Sequence, residues 1–270
     1  MSKLKLVQNT LRLVKKAPGT NNFAYRIAQT YIDEYRDFSY DAATNGEQEI
    51  VKKVSTIFKD GFTFIDAGAN VGEWTTFVCS QLNSCVGHLF ELSAETFKTL
   101  KKNLENRENL TLVNKGLSDQ NTQIEYKYYG KNDGGNTIVM GASYHKKPYE
   151  VLSADVVTGD YYCQKNKIKH INFLKVDTEG AEYAVLKGFE NNLKQQTIDI
   201  VQFEYGYTHA DAKTLMRDFF ELFESHGYIV GRLTGTGVSF KNFEYTDNDF
   251  KSGPNYVACL PQYKATLETF

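Results

Sequence analysis

Apolar positions along the chain follow two regimes. Over residues 1–45, Leu4, Val7, Leu11 and Val14 recur at helical spacing, with Lys3, Lys5, Arg12, Lys15 and Lys16 between them. The spacing predicts a basic amphipathic helix, ended by Ala17, Pro18 and Gly19. An aromatic-rich stretch from Phe23 to Tyr35 predicts a second helix. The expected arrangement is an N-terminal helical cap that docks on the protein's own core. The basic face of residues 1–16 also suits peripheral contact with a membrane or a partner.

From Phe62 the pattern changes to short apolar runs alternating with amphipathic segments, the signature of βαβ units around a mostly parallel sheet. The runs predict strands at 62–67, 85–91, 110–114, 171–176 and 198–203, with helices at 72–82, 94–105, 181–193 and 212–226. Two late runs, 227–233 and 256–260, follow without a helix between them and predict an antiparallel edge strand. Between strands three and four, the interval 124–149 carries the turn residues Asp133, Gly134 and Gly135 and predicts a hairpin insertion. The expected fold class is α/β, a doubly wound Rossmann-like body over 46–270 with a lid at about 120–160.

Composition narrows the function. A 41% hydrophobic chain with 18 Phe, 18 Tyr and four Pro is neither disordered nor collagenous. Thirty-one basic against 33 acidic residues leave a net charge of −2, so no general grip on polyphosphate is built in and nucleic acid is not an expected partner. With no apolar run of membrane-spanning length and no signal-like N-terminal order, a soluble cytoplasmic protein is expected. Cys79, Cys85, Cys163 and Cys259 show no C-x-x-C spacing, which predicts reduced thiols rather than a disulfide framework or a zinc site.

Ligands of open α/β sheets bind beyond the carboxyl ends of the strands. Strand one ends in Asp66-Ala67-Gly68-Ala69-Asn70-Val71-Gly72, a small-residue turn running into a helix, and strand two ends at Glu91, where a carboxylate can accept ribose hydroxyls. A dinucleotide fingerprint would need glycine where Asn70 and Glu73 stand. Glu73 would also crowd helix-to-sheet packing and repel a pyrophosphate. S-adenosylmethionine, which has no phosphate and bears a sulfonium cation, meets neither objection. Asn70 further tolerates the left-handed backbone such a loop needs.

The motifs FIDAGANVGEWT (Phe64 to Thr75), LFELSAETFKTLKKNL (Leu89 to Leu104), VNKGLSD (Val113 to Asp119) and FLKVDTEGAEYAVLKG (Phe173 to Gly188) stand in this order, followed by a strand ending in Phe203-Glu204. Together they resemble the FkbM family of S-adenosylmethionine-dependent methyltransferases over about residues 45–260. The resemblance implies a class I methyltransferase fold and O-methylation of a hydroxyl on a sugar or other small polar metabolite. It departs at Glu91-Leu92-Ser93, where members usually carry proline after the acid. Carried over residue by residue, it implies that Asp66, Gly68, Asn70 and Gly72 form the cofactor loop and that Glu91 holds the ribose. Ser118 and Asp119 fall where the adenine edge is read, although this pair also reads as a plain turn.

For catalysis, Asp177 ends strand four, and Glu204 ends strand five ahead of a polar and aromatic loop containing His209. Methyl transfer to a hydroxyl needs the proton removed. Asp177, Glu204, His209 and His145 are the candidate bases, whereas His88, His170 and His226 read as structural and Glu182 as a helix-capping residue. Asp177 with Glu204 could ligate magnesium, yet two carboxylates are weak grounds and no metal is expected. A catalytically silent binding protein of this fold and a nucleotide-dependent oxidoreductase are the rival readings. The intact cofactor loop disfavours the first, and Asn70 with Glu73 disfavours the second.

Overall fold

The structure, a computed structural model, describes residues 3–16, 21–35, 39, 41–59, 61–82, 84–143, 146–250 and 255–268. The chain divides into two units between residues 38 and 39. The first contains α1 (Lys3–Lys16) and α2 (Asn21–Tyr35), as the apolar spacing predicts; the breaker residues Ala17, Pro18 and Gly19 lie outside the described residues. No residue of α1 is buried. Among the described residues, no helix is long and apolar enough to cross a membrane.

The second unit runs α3 (Glu47–Ile57), β1 (Phe62–Ala67), α4 (Glu73–Gln81), β2 (Cys85–Phe90), α5 (Ala94–Leu104), β3 (Leu110–Val113), β4 (Gly116–Leu117), β5 (Thr122–Tyr128), β6 (Glu150–Val157), α6 (Gly159–Asn166) and β7 (Ile171–Val176). It continues with α7 (Glu182–Lys187), α8 (Glu190–Lys194), β8 (Ile198–Glu204), α9 (Tyr207–Ala212), α10 (Met216–Ser225), β9 (Ile229–Thr234), β10 (Gly237–Phe240), β11 (Asn255–Cys259) and α11 (Lys264–Leu267). Eight strands form one sheet in the order β10-β9-β11-β8-β7-β1-β2-β3. Beginning from β1, the chain lays β2 and β3 to one side and β7 and β8 to the other, all parallel, so the order reverses at β1 and a crevice opens there. This is the doubly wound α/β layout that the sequence predicts.

Strands buried on both faces divide the core in two. Ile65, Leu174, Val201 and Phe203 pack on one face with α10, and Phe64, Phe173, Ile200 and Val257 on the other with α3 and α4. Register aligns the strand ends, because Ala67 pairs with both Phe90 and Val176, and Val176 pairs with Phe203. The residues that follow, Gly68, Glu91, Asp177 and Glu204, therefore emerge at one edge. An antiparallel edge strand is present as β10, formed in a hairpin with β9 that the apolar runs do not reveal. The last strand, β11, lies inside the sheet instead, antiparallel to both β8 and β9.

Of two predicted helices, one is split and the other begins late. The 181–193 stretch breaks into α7 and α8 because the Asp160 carboxylate of α6 accepts from the Asn191 and Asn192 amides and starts a new helix. The 212–226 helix begins only at Met216, where Asp218 caps the Leu215 amide. The insertion is a second, three-stranded sheet in the order β4-β6-β5, and α3 fills a segment for which no helix is predicted.

Phe203 is fully buried, with its ring 4.8 Å from that of Phe219 at an interplanar angle of 7°, and 5.5 Å and 5.8 Å from those of Phe223 and Tyr256. Phe203→Ala should lower unfolding free energy by about 3–5 kcal/mol. Urea denaturation checks this, and an unchanged slope with a shifted midpoint is the expected form.

Candidate active site

The β1–α4 loop is built to let something approach its backbone. Gly68 has φ +86°, and a Cβ there would sit 1.8 Å from the Asp177 carbonyl oxygen. Its amide and that of Ala69 both donate to the Phe90 carbonyl, at 3.0 and 2.9 Å, and the Asp177 amide donates to Ala67 at 2.9 Å. The ends of β1, β2 and β7 are thus tied backbone to backbone. Asn70 takes the left-handed conformation its residue type tolerates, at φ 47°. Gly72, also left-handed, answers a packing need: a Cβ there would lie 2.5 Å from Leu104 Cδ1.

Two buried acceptors in this loop lack a hydrogen-bond partner, Asp66 Oδ1 and Asn70 Oδ1. Asp66 is fully buried, and its other oxygen accepts from Thr75 Oγ1 at 2.7 Å. Burial raises its pKa, against the lowering pull of Lys175, whose ammonium is 4.0 Å away. Glu91 accepts from the Asn70 amide at 3.0 Å and the Ser93 amide at 2.8 Å. Burial nonetheless pushes its carboxyl up to about 7. The Gly68 backbone, the orphaned Asn70 acceptor and the Glu91 carboxylate all line the crevice and fit a ligand bearing an amine, a ribose and a positive charge. S-adenosylmethionine has all three.

Beyond the cofactor loop, Lys175 is buried and reaches Asp177 at 2.7 Å. Asp177, Glu179 and Glu204 converge, each offering one carboxylate oxygen within 4.8 Å of the others. Burial first, then the charges of Asp177 and Glu179, raise Glu204 well above the ordinary carboxylate range. A carboxyl raised in this way holds a proton more readily than an ordinary one, the property a general base needs once ionised. Three hard oxygen donors at this spacing could also hold a divalent cation.

His209 belongs to the packing rather than to the reacting surface. Its ring is completely buried, against Tyr205 and Phe219. The Gly206 amide donates to Nδ1 at 3.2 Å, which places the ring proton on Nε2, 2.9 Å from a Glu182 oxygen. Completely buried beside Glu182 and absent from the crevice lining, the ring is not placed to act as the proton acceptor expected from sequence. Glu182, also fully buried, accepts from the Thr178 and Gly180 amides at 2.6 and 2.8 Å. Burial opposes its ionisation, but His209 and these donors outweigh burial and keep its carboxyl below the ordinary value. The pair clamps the β7 loop to the β8 loop.

The insertion closes the crevice from above. Thr137 Oγ1 donates to the Glu179 carbonyl at 2.7 Å, the Asn132 amide donates to Thr96 Oγ1 at 3.1 Å, and the Ser143 amide donates to Asp211 at 2.7 Å. Asp133, Gly134, Asn136 and Ile138 consequently line the crevice beside Gly68, Asn70, Glu91 and Asp177. Gly116 and Leu117 line it as well, whereas Ser118 and Asp119 lie beyond them, with the Ser118 hydroxyl 3.3 Å from the Asp119 carboxylate in a turn. His145 lies outside the described residues. The composition of the insertion marks a lid, with Asp133 in its turn, but gives no sign that Asp133 and Asn136 line the crevice. Their only signal is the turn composition around Gly134.

The Methyltransferase FkbM domain family matches residues 66–230. Methyltransferase 1 of Beauveria bassiana is 26% identical over 193 residues, covering 64% of this chain and 74% of that protein. The hexuronic acid methyltransferase AglP of Haloferax volcanii is 23% identical over 174 residues, covering 64% of this chain and 69% of that protein. Among solved structures, an rRNA methylase from Streptococcus thermophilus is 12% identical with a TM-score of 0.43, covering 79% of this chain and 94% of that one.

Since a carboxylate is the better acceptor for ribose hydroxyls, affinity for S-adenosylhomocysteine should fall as pH drops through about 7, the Glu91 value, with uptake of a proton by the free protein. Calorimetry at pH 6 and pH 8, in buffers of different ionisation enthalpy, checks this. His209→Ala should lower stability by about 3 kcal/mol, because Glu182 stays charged and buried beside a cavity. Thermal unfolding measures it, and a variant that remains fully stable while losing turnover would return His209 to the list of bases.

Proposed function

The chain belongs to the FkbM family of methyltransferases, and we propose that it moves the methyl group of S-adenosylmethionine onto a hydroxyl of a saccharide or similarly polar small molecule. The observation that carries this reading is Glu204: a carboxyl kept protonatable by burial and by neighbouring acids, at the same sheet edge as the cofactor loop. When bound, S-adenosylmethionine supplies an electrophilic methyl group. The protein's part is to align an acceptor oxygen with that methyl and to take its proton.

In this reading Gly68, Asn70 and Glu91 hold the donor, with Asp66 bracing the loop from behind through Thr75. Lys175 fixes Asp177 so that its carboxylate accepts a hydrogen bond from the acceptor, and Glu204 takes the proton. The insertion residues Asp133 and Asn136 offer further polar groups to a hydroxyl-rich molecule. Acidic groups crowd the acceptor end, which favours sugars and repels phosphate-rich polymers, so nucleic acid is not the substrate proposed. The hexuronic acid methyltransferase among the relatives supports a saccharide acceptor.

Purified protein should release S-adenosylhomocysteine with at least one member of a panel of sugars and hydroxylated metabolites, and release with none would overturn the proposal. On such an acceptor, Glu204→Gln should cut kcat by about 10²-fold or more while S-adenosylmethionine affinity stays within about 0.5 kcal/mol. Because Glu204 must be ionised to act, kcat/KM should rise with pH through a value above the usual carboxylate range. The limb in kcat should lie lower, since the bound sulfonium favours the ionised form. A pH profile of the wild type with identical limbs in Glu204→Gln would assign the proton to another group.

A further inference from the structure

The first unit of the chain holds a disproportionate share of exposed apolar side chains. Of 18 large apolar residues exposed among the described residues, 11 lie between Leu4 and Ile32. Such a concentration marks an interaction surface. At 100° per residue, Leu4, Leu6, Val7, Leu11, Leu13 and Val14 of α1 fall on one half of the helix, interrupted there by Thr10 and by Lys3 in the first turn, and Lys5, Gln8, Asn9, Arg12, Lys15 and Lys16 fall on the other. The apolar half is far wider than the two-in-seven seam of a coiled coil. The helix carries five basic residues and no acidic one, in a chain whose net charge is only −2.

A broad aliphatic half with cations along its other side matches a planar partner that is apolar within and negatively charged at its surface. A second copy of α1 would cover the apolar half but offer the cations no counter-charge, since the helix has no acidic residue. We propose that α1 lies along an anionic lipid surface, with Leu4, Val7 and Leu11 in the acyl boundary and Arg12, Lys15 and Lys16 on the phosphates. The long lysine and arginine stems let their charges reach the headgroup plane while the helix stays low in the interface. Phe23 and Tyr25 of α2, both exposed, add aromatic groups of the kind that settle at that depth. This anchor is independent of which acceptor the enzyme methylates.

The test is cosedimentation of the full-length protein with vesicles of phosphatidylcholine alone or mixed with phosphatidylglycerol. Wild type should pellet with the mixed vesicles and not with the neutral ones, and high salt should release it. Removing basic charge with Arg12→Glu or Lys16→Glu should weaken partitioning by roughly five-fold or more for each residue changed. Leu11→Glu should reduce pelleting to background with an unchanged melting temperature, showing an intact body. Failure of wild type to bind mixed vesicles, or equal binding by Leu11→Glu, overturns the proposal. It is equally overturned if Leu11→Glu lowers the melting temperature or halves the mass by light scattering, since the apolar face would then be packed on protein.

Discussion

One buried ammonium group organises the carboxyl edge of the sheet. Lys175, the penultimate residue of β7, is almost wholly removed from solvent and sits 2.7 Å from Asp177 and 4.0 Å from Asp66, over the ring of Trp74. Burial opposes its charge, but the carboxylates of Asp177, Asp66 and Glu47 prevail and raise its pKa. A cation so placed joins the ends of β1 and β7, the two strands at which the sheet order reverses. Without it, the buried Asp66 and the half-exposed Asp177 would be like charges facing one another at the crevice floor.

That one cation leaves acidic groups over. Burial, and the neighbouring acids that Lys175 does not neutralise, push Asp66, Glu91 and Glu204 upward together. The crevice is therefore short of positive charge before any ligand arrives. S-adenosylmethionine brings a sulfonium and an ammonium into that deficit, whereas its demethylated product lacks the sulfonium. The same imbalance that makes Glu204 protonatable thus favours the donor over the product and disfavours a pyrophosphate-bearing cofactor.

Much of this edge is legible in sequence because strand ends and turn residues are local properties. The bounds of β1 and β7 follow from apolar runs ended by Asp66-Ala67-Gly68 and by Asp177, and Asn70 is readable as the left-handed residue of its loop. What escapes prediction depends on contacts distant in the chain. The Asp160 cap that splits the helix around Gly188 comes from α6, 31 residues earlier than its partner Asn191. His209 reads as a base from its place after β8, and only packing against Tyr205 and Phe219 shows the ring buried away from the crevice. The crevice residues Asp133 and Asn136 come from a segment whose composition announces only a turn.

The close approach of Gly68 to the Asp177 carbonyl has a consequence for how such a protein can change over time. The loop after β1 and the residue that ends β7 meet backbone to backbone, so their spacing cannot be retuned by exchanging side chains. Variation is instead free to accumulate in the insertion and in the segment after β8, which are held to that frame by a few hydrogen bonds from Thr137, Asn132 and Ser143. The roof of the crevice can then be redrafted while the spacing of the strand ends beneath it is inherited unchanged.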